Sequence, residues 1–274
     1  MIILNISQHV HENSESLSHI IPQLSFTLLF CSLFILYIGA TIYSNRRYKR
    51  WPLHRTICWT LGIIFALIAL TGPLVNRAPM DFTAHMLSHL LLGMLAPLLM
   101  VVAAPMTLVL RTISIPLARV LSNLLRSWPS QFFTHPIVAT FLNIGGLWLL
   151  YTSNIYALMH ENIFIHLIVH FHLFLAGYLF TIAIVPFDSM IHRKSFLYRA
   201  IVLIIALAGH GILSKYIYAH PPEGVPIDQA ELGSMLMFYG GDIIDAIIIF
   251  LLCLQWFRAT RPRVVETLSS KEGA

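Results

Sequence analysis

The chain has 274 residues, 57% of them hydrophobic and only 11% charged, with a formal net charge of +5. A soluble domain carries roughly one-quarter charged residues, so this composition excludes an ordinary soluble protein and points to an integral membrane one. The positive charge sorts by position along the chain, as shown below, and so marks topology rather than affinity for nucleic acid.

Crossing a hydrocarbon core of about 30 Å takes about 20 apolar residues. Seven stretches qualify, near 24–43, 56–75, 82–110, 136–158, 162–187, 196–219 and 231–257. The predicted fold is therefore all-α: a seven-transmembrane-helix bundle over 24–257, between a polar N-terminal tail (1–23) and a basic C-terminal tail (258–274). The first tail lacks a basic start followed by an apolar core, so it does not read as a cleaved signal peptide. The third stretch carries Pro97 and Pro105, where a kink or an end is expected. No repeat, low-complexity tract or separate soluble domain is evident.

Lys and Arg gather in alternate connections. The first, "SNRRYKRWPLHR", holds Arg46, Arg47, Lys49, Arg50 and Arg55. The third holds Arg111, Arg119 and Arg126, the fifth Arg193, Lys194 and Arg199, and the C-terminal tail Arg258, Arg261, Arg263 and Lys271. Of the 17 basic residues only Arg77 and Lys215 fall elsewhere. Basic residues accumulate on the cytoplasmic side, so the N-terminus is expected outside and the C-terminus in the cytoplasm.

On that topology only His54, His135 and His192 of the 14 histidines face the cytoplasm. In "HMLSHLLLGMLAP", His85 and His89 lie within the first turns below the outer surface. At about 1.5 Å per residue, His166 lies roughly 6 Å, His170 roughly 12 Å, His210 about 13 Å and Asp242 about 16 Å down. His85 with His89, and His166 with His170, are spaced four apart, so each pair projects from one helix face. Asp81 extends the first stripe if the helix reaches it, and Asp242 with Asp245 forms an i, i+3 pair. His172, two residues from His170, points nearly the opposite way.

Polar groups are costly in a bilayer and tend to mark sites or pathways. His85, His89, His166, His170, His210 and Asp242 are accordingly the candidate metal or proton-transfer residues. The plainer reading is helix-to-helix hydrogen bonding, which suits His210 between Gly209 and Gly211 as well as a ligand role does. The aspartates fit either hydrogen bonding or charge compensation of a cation. Neutral imidazole suits copper, zinc and iron, and thioether favours cuprous copper. Met80, Met86, Met94, Met159, Met235 and Met237 lie near the outer half, although methionine is most often packing filler. Cys31, Cys58 and Cys253 form no metal-spacing motif. His9, His11 and His19 in the N-terminal tail could catch a metal ion. Ser88 in "HMLSH" lacks an oriented acid and an oxyanion site, and "GGD" at 240–242 is too short for a phosphate loop, so no enzyme is expected.

The third stretch, with its H-x3-H, later Ala-Pro and later Pro, resembles the polytopic CtaG-type family, seven-helix assembly factors for caa-type cytochrome c oxidase. Further matches follow in order: His135-Pro136, "LWLLYTSNIY" ending at Tyr156, "HLIVHFHLFLAGYLF" from His166 and "DQAELGSMLMFYGGD" ending at Asp242. They cover about residues 55–257. Relatives carry a His-x-Pro after the Leu-Trp of helix four, which this chain lacks; His160 lies just downstream.

The resemblance implies a multi-pass protein of the bacterial inner membrane that matures a copper-containing oxidase by handling copper at the outer face. Its partners would be the lipid bilayer and oxidase subunits or other assembly factors. Two alternatives stay open: a haem b electron-transfer protein with axial ligands such as His89 and His170, and a His/Asp-lined proton or ion pathway. A retinal protein is excluded, because helix seven has no lysine for a Schiff base.

Overall fold

The computed structural model describes residues 2–188 and 193–261, with side chains described from residue 21 onward except that of His160. Expectations for His192, Arg263 and Lys271, and for the side chains of His9, His11, His19 and His160, lie outside this description. Every regular element among the described residues is helical.

In chain order the helices are α1 (Ile2–Arg47), α2 (Leu53–Leu70), α3 (Pro73–Arg77), α4 (Phe82–Val102), α5 (Pro105–Thr112) and α6 (Ile115–Leu125). They continue as α7 (Trp128–Phe133), α8 (Pro136–Thr152), α9 (Ile155–Glu161), α10 (Ile163–Ile184), α11 (Phe196–Ala219) and α12 (Ile227–Thr260). Six segments are long and apolar enough to cross a membrane: Ile21–Arg47, Leu53–Arg77, α4, α10, α11 and α12. α8 is apolar but shorter, at 17 residues. The chain is thus a multi-pass membrane protein. Its outer faces bear large apolar side chains, among them Ile204, Ile243 and Phe250, as a lipid-facing surface requires.

Helix limits follow local chemistry. Asp81 is the N-cap of α4, accepting hydrogen bonds from the Thr83 and Ala84 amides at 2.9 and 3.2 Å, so it does not extend the histidine stripe as the spacing had allowed. Asn162 caps α10 in the same way. The expected 82–110 stretch ends early, because Ala104 adopts a left-handed conformation (φ 50°) and Pro105 opens α5. The expected 136–158 helix breaks after Thr152, where Ser153 is extended. α1 instead runs on through the tail assigned to 1–23.

Two π-helical turns interrupt the spans, Leu90–Leu95 within α4 and Phe141–Gly145 within α8. Pro97 has no N–H for the Gly93 carbonyl, and Gly177 of α10 packs directly against that oxygen. A Cβ at 177 would collide with it, so glycine is what permits the close α4–α10 approach.

One end of the bundle gathers the basic residues. There Arg111 donates to the Lys49 carbonyl at 3.0 Å. Trp51 donates to the Tyr37 hydroxyl, which donates to the Ala103 carbonyl. Asp188, 1% exposed, accepts from the Thr107 amide and hydroxyl at 2.7 and 2.6 Å, satisfying an orphan donor in the first turn of α5. Buried Arg199 closes the end of α10 by donating to the Ile184 carbonyl at 2.6 Å and to Gln255 at 3.3 Å. At the opposite end, Gln23 donates to Asn76, and Gln229 of α12 accepts the Phe82 amide of α4. α8 links the two ends: His135, just before it, meets Tyr198, while Tyr151 near its far end meets His85.

Candidate functional site

The end opposite the basic residues holds a cavity of about 120 Å³ lined by His85 and Ser88 of α4, His166 and His170 of α10, and Met159 and Glu161 of α9. The i, i+4 spacing on α10 stacks the rings of His166 and His170 with centroids 4.1 Å apart. His170 donates from Nδ1 to the His166 carbonyl at 2.9 Å. In the neutral ring this places the lone pair on Nε2, the arrangement a metal-ligating histidine needs. His85 is 6% exposed, and its Nε2 is hydrogen-bonded to the Tyr151 hydroxyl at 3.0 Å. Phe82 stacks on its ring and Tyr156 meets it edge-on at 5.0 Å. Burial pushes the Tyr156 phenol up to about 12, so it remains protonated at neutral pH.

One turn deeper the surroundings change. His89 is 2% exposed and faces His210 of α11, 4% exposed, with ring centroids 6.2 Å apart and planes inclined at 29°. Among the described residues, neither nitrogen of His89 has a hydrogen-bond partner, nor does Nε2 of His210. Leaving a buried polar group unpaired costs about 1–3 kcal/mol. The Tyr151 ring lies edge-on to both His85 and His89, at 5.9 and 6.4 Å, and so touches a histidine of the outer cavity and one of the inner pair. Gly241 of α12 makes room for His210; a Cβ there would meet Cε1 at 2.6 Å. A second cavity, about 20 Å³, adjoins His210 and is lined by Met94, Asn143 and Asp245 among others. That volume holds about one water-sized body.

The six sequence candidates therefore divide. His85, His166 and His170 share the outer cavity, while His89 and His210 form the inner pair. Asp242 is exposed on α12, and Asp245, three residues on and 6% exposed, is the carboxylate that shares a cavity with His210. His172 lies apart, as its spacing indicated: it packs against Gly146 and donates to the Leu142 carbonyl at 3.1 Å. Tyr151 and Tyr156 were not singled out as site residues, whereas Met159 was among the methionines offered as thioether candidates; Tyr151 sits in the stretch where the resemblance has His-x-Pro. Among the described residues, no three His, Cys, Asp or Glu side chains are grouped closely enough to hold a metal ion.

Residues 35–259 match the family model for the cytochrome c oxidase caa3 assembly factor. The chain belongs to that family. An uncharacterised protein of Mycobacterium leprae is 25% identical to it over 243 residues, 81% of this chain and 37% of the relative. Uncharacterised proteins of Mycobacterium bovis and Mycobacterium tuberculosis are each 30% identical over 174 residues, 61% of this chain and 26% of theirs. The chain thus spans about a quarter to somewhat over a third of the curated relatives it matches. No solved structure matches. The caa3 assembly-factor match includes all of α2 through α11, and with them every histidine of the outer cavity and the inner pair.

Proposed function

We propose that the protein serves assembly of a cytochrome c oxidase by taking up copper at the outer face of the bacterial inner membrane and passing it on, without catalysing a reaction. In this reading the chain crosses the membrane seven times, α8 being the seventh span, with the N-terminus outside and the C-terminus in the cytoplasm. Alternation of basic residues supports that orientation. The observation that carries the reading is the convergence of His85, His166 and His170 on one cavity at the end away from the basic residues. Copper is cargo here: imidazole nitrogens suit it, and Met159 adds a thioether to the same wall. Oxidase subunits or other assembly factors are the recipients.

The test is complementation of a strain lacking the gene, grown at limiting copper, with oxidase copper content as the readout. The His85→Ala/His170→Ala double variant should leave the oxidase copper-deficient while accumulating in the membrane at wild-type level. Wild-type copper content in that strain would reject the cavity as the uptake site.

A further inference from the structure

We propose that His89 and His210 form a two-coordinate site for one monovalent soft cation, Cu(I), buried deeper in the bundle than the cavity that takes it up. This rests on the copper-handling reading and adds to it the oxidation state and resting place of the cargo.

The pair is set apart by what it lacks. Both rings are almost wholly buried, yet three of their four nitrogens have no hydrogen-bond partner among the described residues. Buried polar groups ordinarily find one, and an exception asks for an explanation such as an ion. The ring centroids stand 6.2 Å apart, toward the wide end of the about 4.5–7 Å spanned by paired rings. An ion bound about 2 Å from a nitrogen of each ring bridges such a gap. Ligation accounts for Nε2 of His210 and one nitrogen of His89.

Coordination number and charge then select the ion. Among the described residues no three His, Cys, Asp or Glu side chains group at the pair as metal ligands, so the site is poor for zinc, which takes four ligands, and for calcium or magnesium, which take six or more, chiefly oxygen. Nitrogen and thioether ligands suit Cu(I), and the Met94 side chain lines the cavity beside His210. Two neutral imidazoles leave a monovalent ion with a charge of +1, which a single carboxylate balances. Asp245 lines that same cavity, whereas Asp242 is exposed. A divalent ion would keep an uncompensated charge inside the membrane, which is costly. Tyr151, whose ring meets both His85 and His89, is the side chain that links the outer cavity to the pair.

The experiment uses the full chain purified anaerobically in detergent and titrated with Cu(I) against a chromogenic Cu(I) chelator, and separately with Zn(II). The wild type should hold one Cu(I), with a nitrogen-dominated, two-neighbour shell in copper X-ray absorption. His89→Gln and His210→Gln should each weaken it by at least about 100-fold. Gly241→Ala, which keeps both imidazoles but displaces His210, should weaken it by about tenfold, as does loss of a group that orients a ligand. His85→Gln and His170→Gln, in the uptake cavity, should slow loading of the pair. Unchanged affinity in both inner variants, with loss in the outer ones, would move the ion to the outer cavity and overturn this inference while sparing the proposed function. Zn(II) held as tightly as Cu(I) would overturn the monovalent assignment. Absence of any copper from the wild type would overturn both readings.

Discussion

The two ends of the bundle handle buried polarity differently. At the basic end, Asp188 spends its carboxylate on Thr107, and Arg199 donates to Ile184 and Gln255, so α5, α10, α11 and α12 are tied by side chains that complete backbone hydrogen bonding. Isolated orphan atoms occur there too, such as Ser44 Oγ and Arg199 Nε, but Arg199 bonds through its other nitrogens. At the histidine end, His89 is buried with neither nitrogen hydrogen-bonded among the described residues, and it faces a second ring that has an unbonded nitrogen of its own. The contrast separates polarity that holds the fold from polarity whose use lies in what it binds. Groups of the first kind should be missed by stability, and groups of the second kind by function.

That contrast can be broken by substitution. Asp188→Ala removes both acceptor contacts to Thr107 and strands a half-buried amide and hydroxyl, a loss of up to about 2–6 kcal/mol at about 1–3 kcal/mol for each stranded group. A lowered melting temperature in detergent with unchanged copper affinity is the expected result, and an unchanged melt would remove Asp188 from the framework. Tyr151→Phe deletes one hydrogen bond to His85 at a cost of about 1 kcal/mol, while keeping the ring against both His85 and His89. Stopped-flow uptake should show faster or slower copper entry with a nearly unchanged endpoint; identical kinetics would take the hydroxyl out of the path. The smallest stability effect belongs to His89→Leu. Replacing an unpaired buried polar ring with an apolar side chain should leave the apo protein within about 1 kcal/mol of wild type, or stabilise it. A large destabilisation would mean that His89 serves the fold after all.

Much of this division was legible in the sequence. Alternating basic connections identified which helix ends lie together, and Asn162 and Ala219 marked the true ends of α10 and α11, because caps and apolar runs are local signals. The fate of 153–154 was not legible: "YTSNIY" is compatible with continued helix, and the break depends on extended backbone at Ser153. The spacing of His85 and His89 showed that they share a face, but not that one would meet Tyr151 and the other His210, since those partners come from α8 and α11. Asp242 and Asp245 were indistinguishable for a related reason. α12 is apolar around its circumference, so only packing against α11 and α4 decides which carboxylate turns inward.

The most direct test of the account is elemental analysis together with an absorption spectrum of the protein purified anaerobically after expression with added copper. Near-stoichiometric copper with no Soret band is the predicted result. Copper at background level would contradict copper handling, and a strong Soret band would replace it with haem ligation.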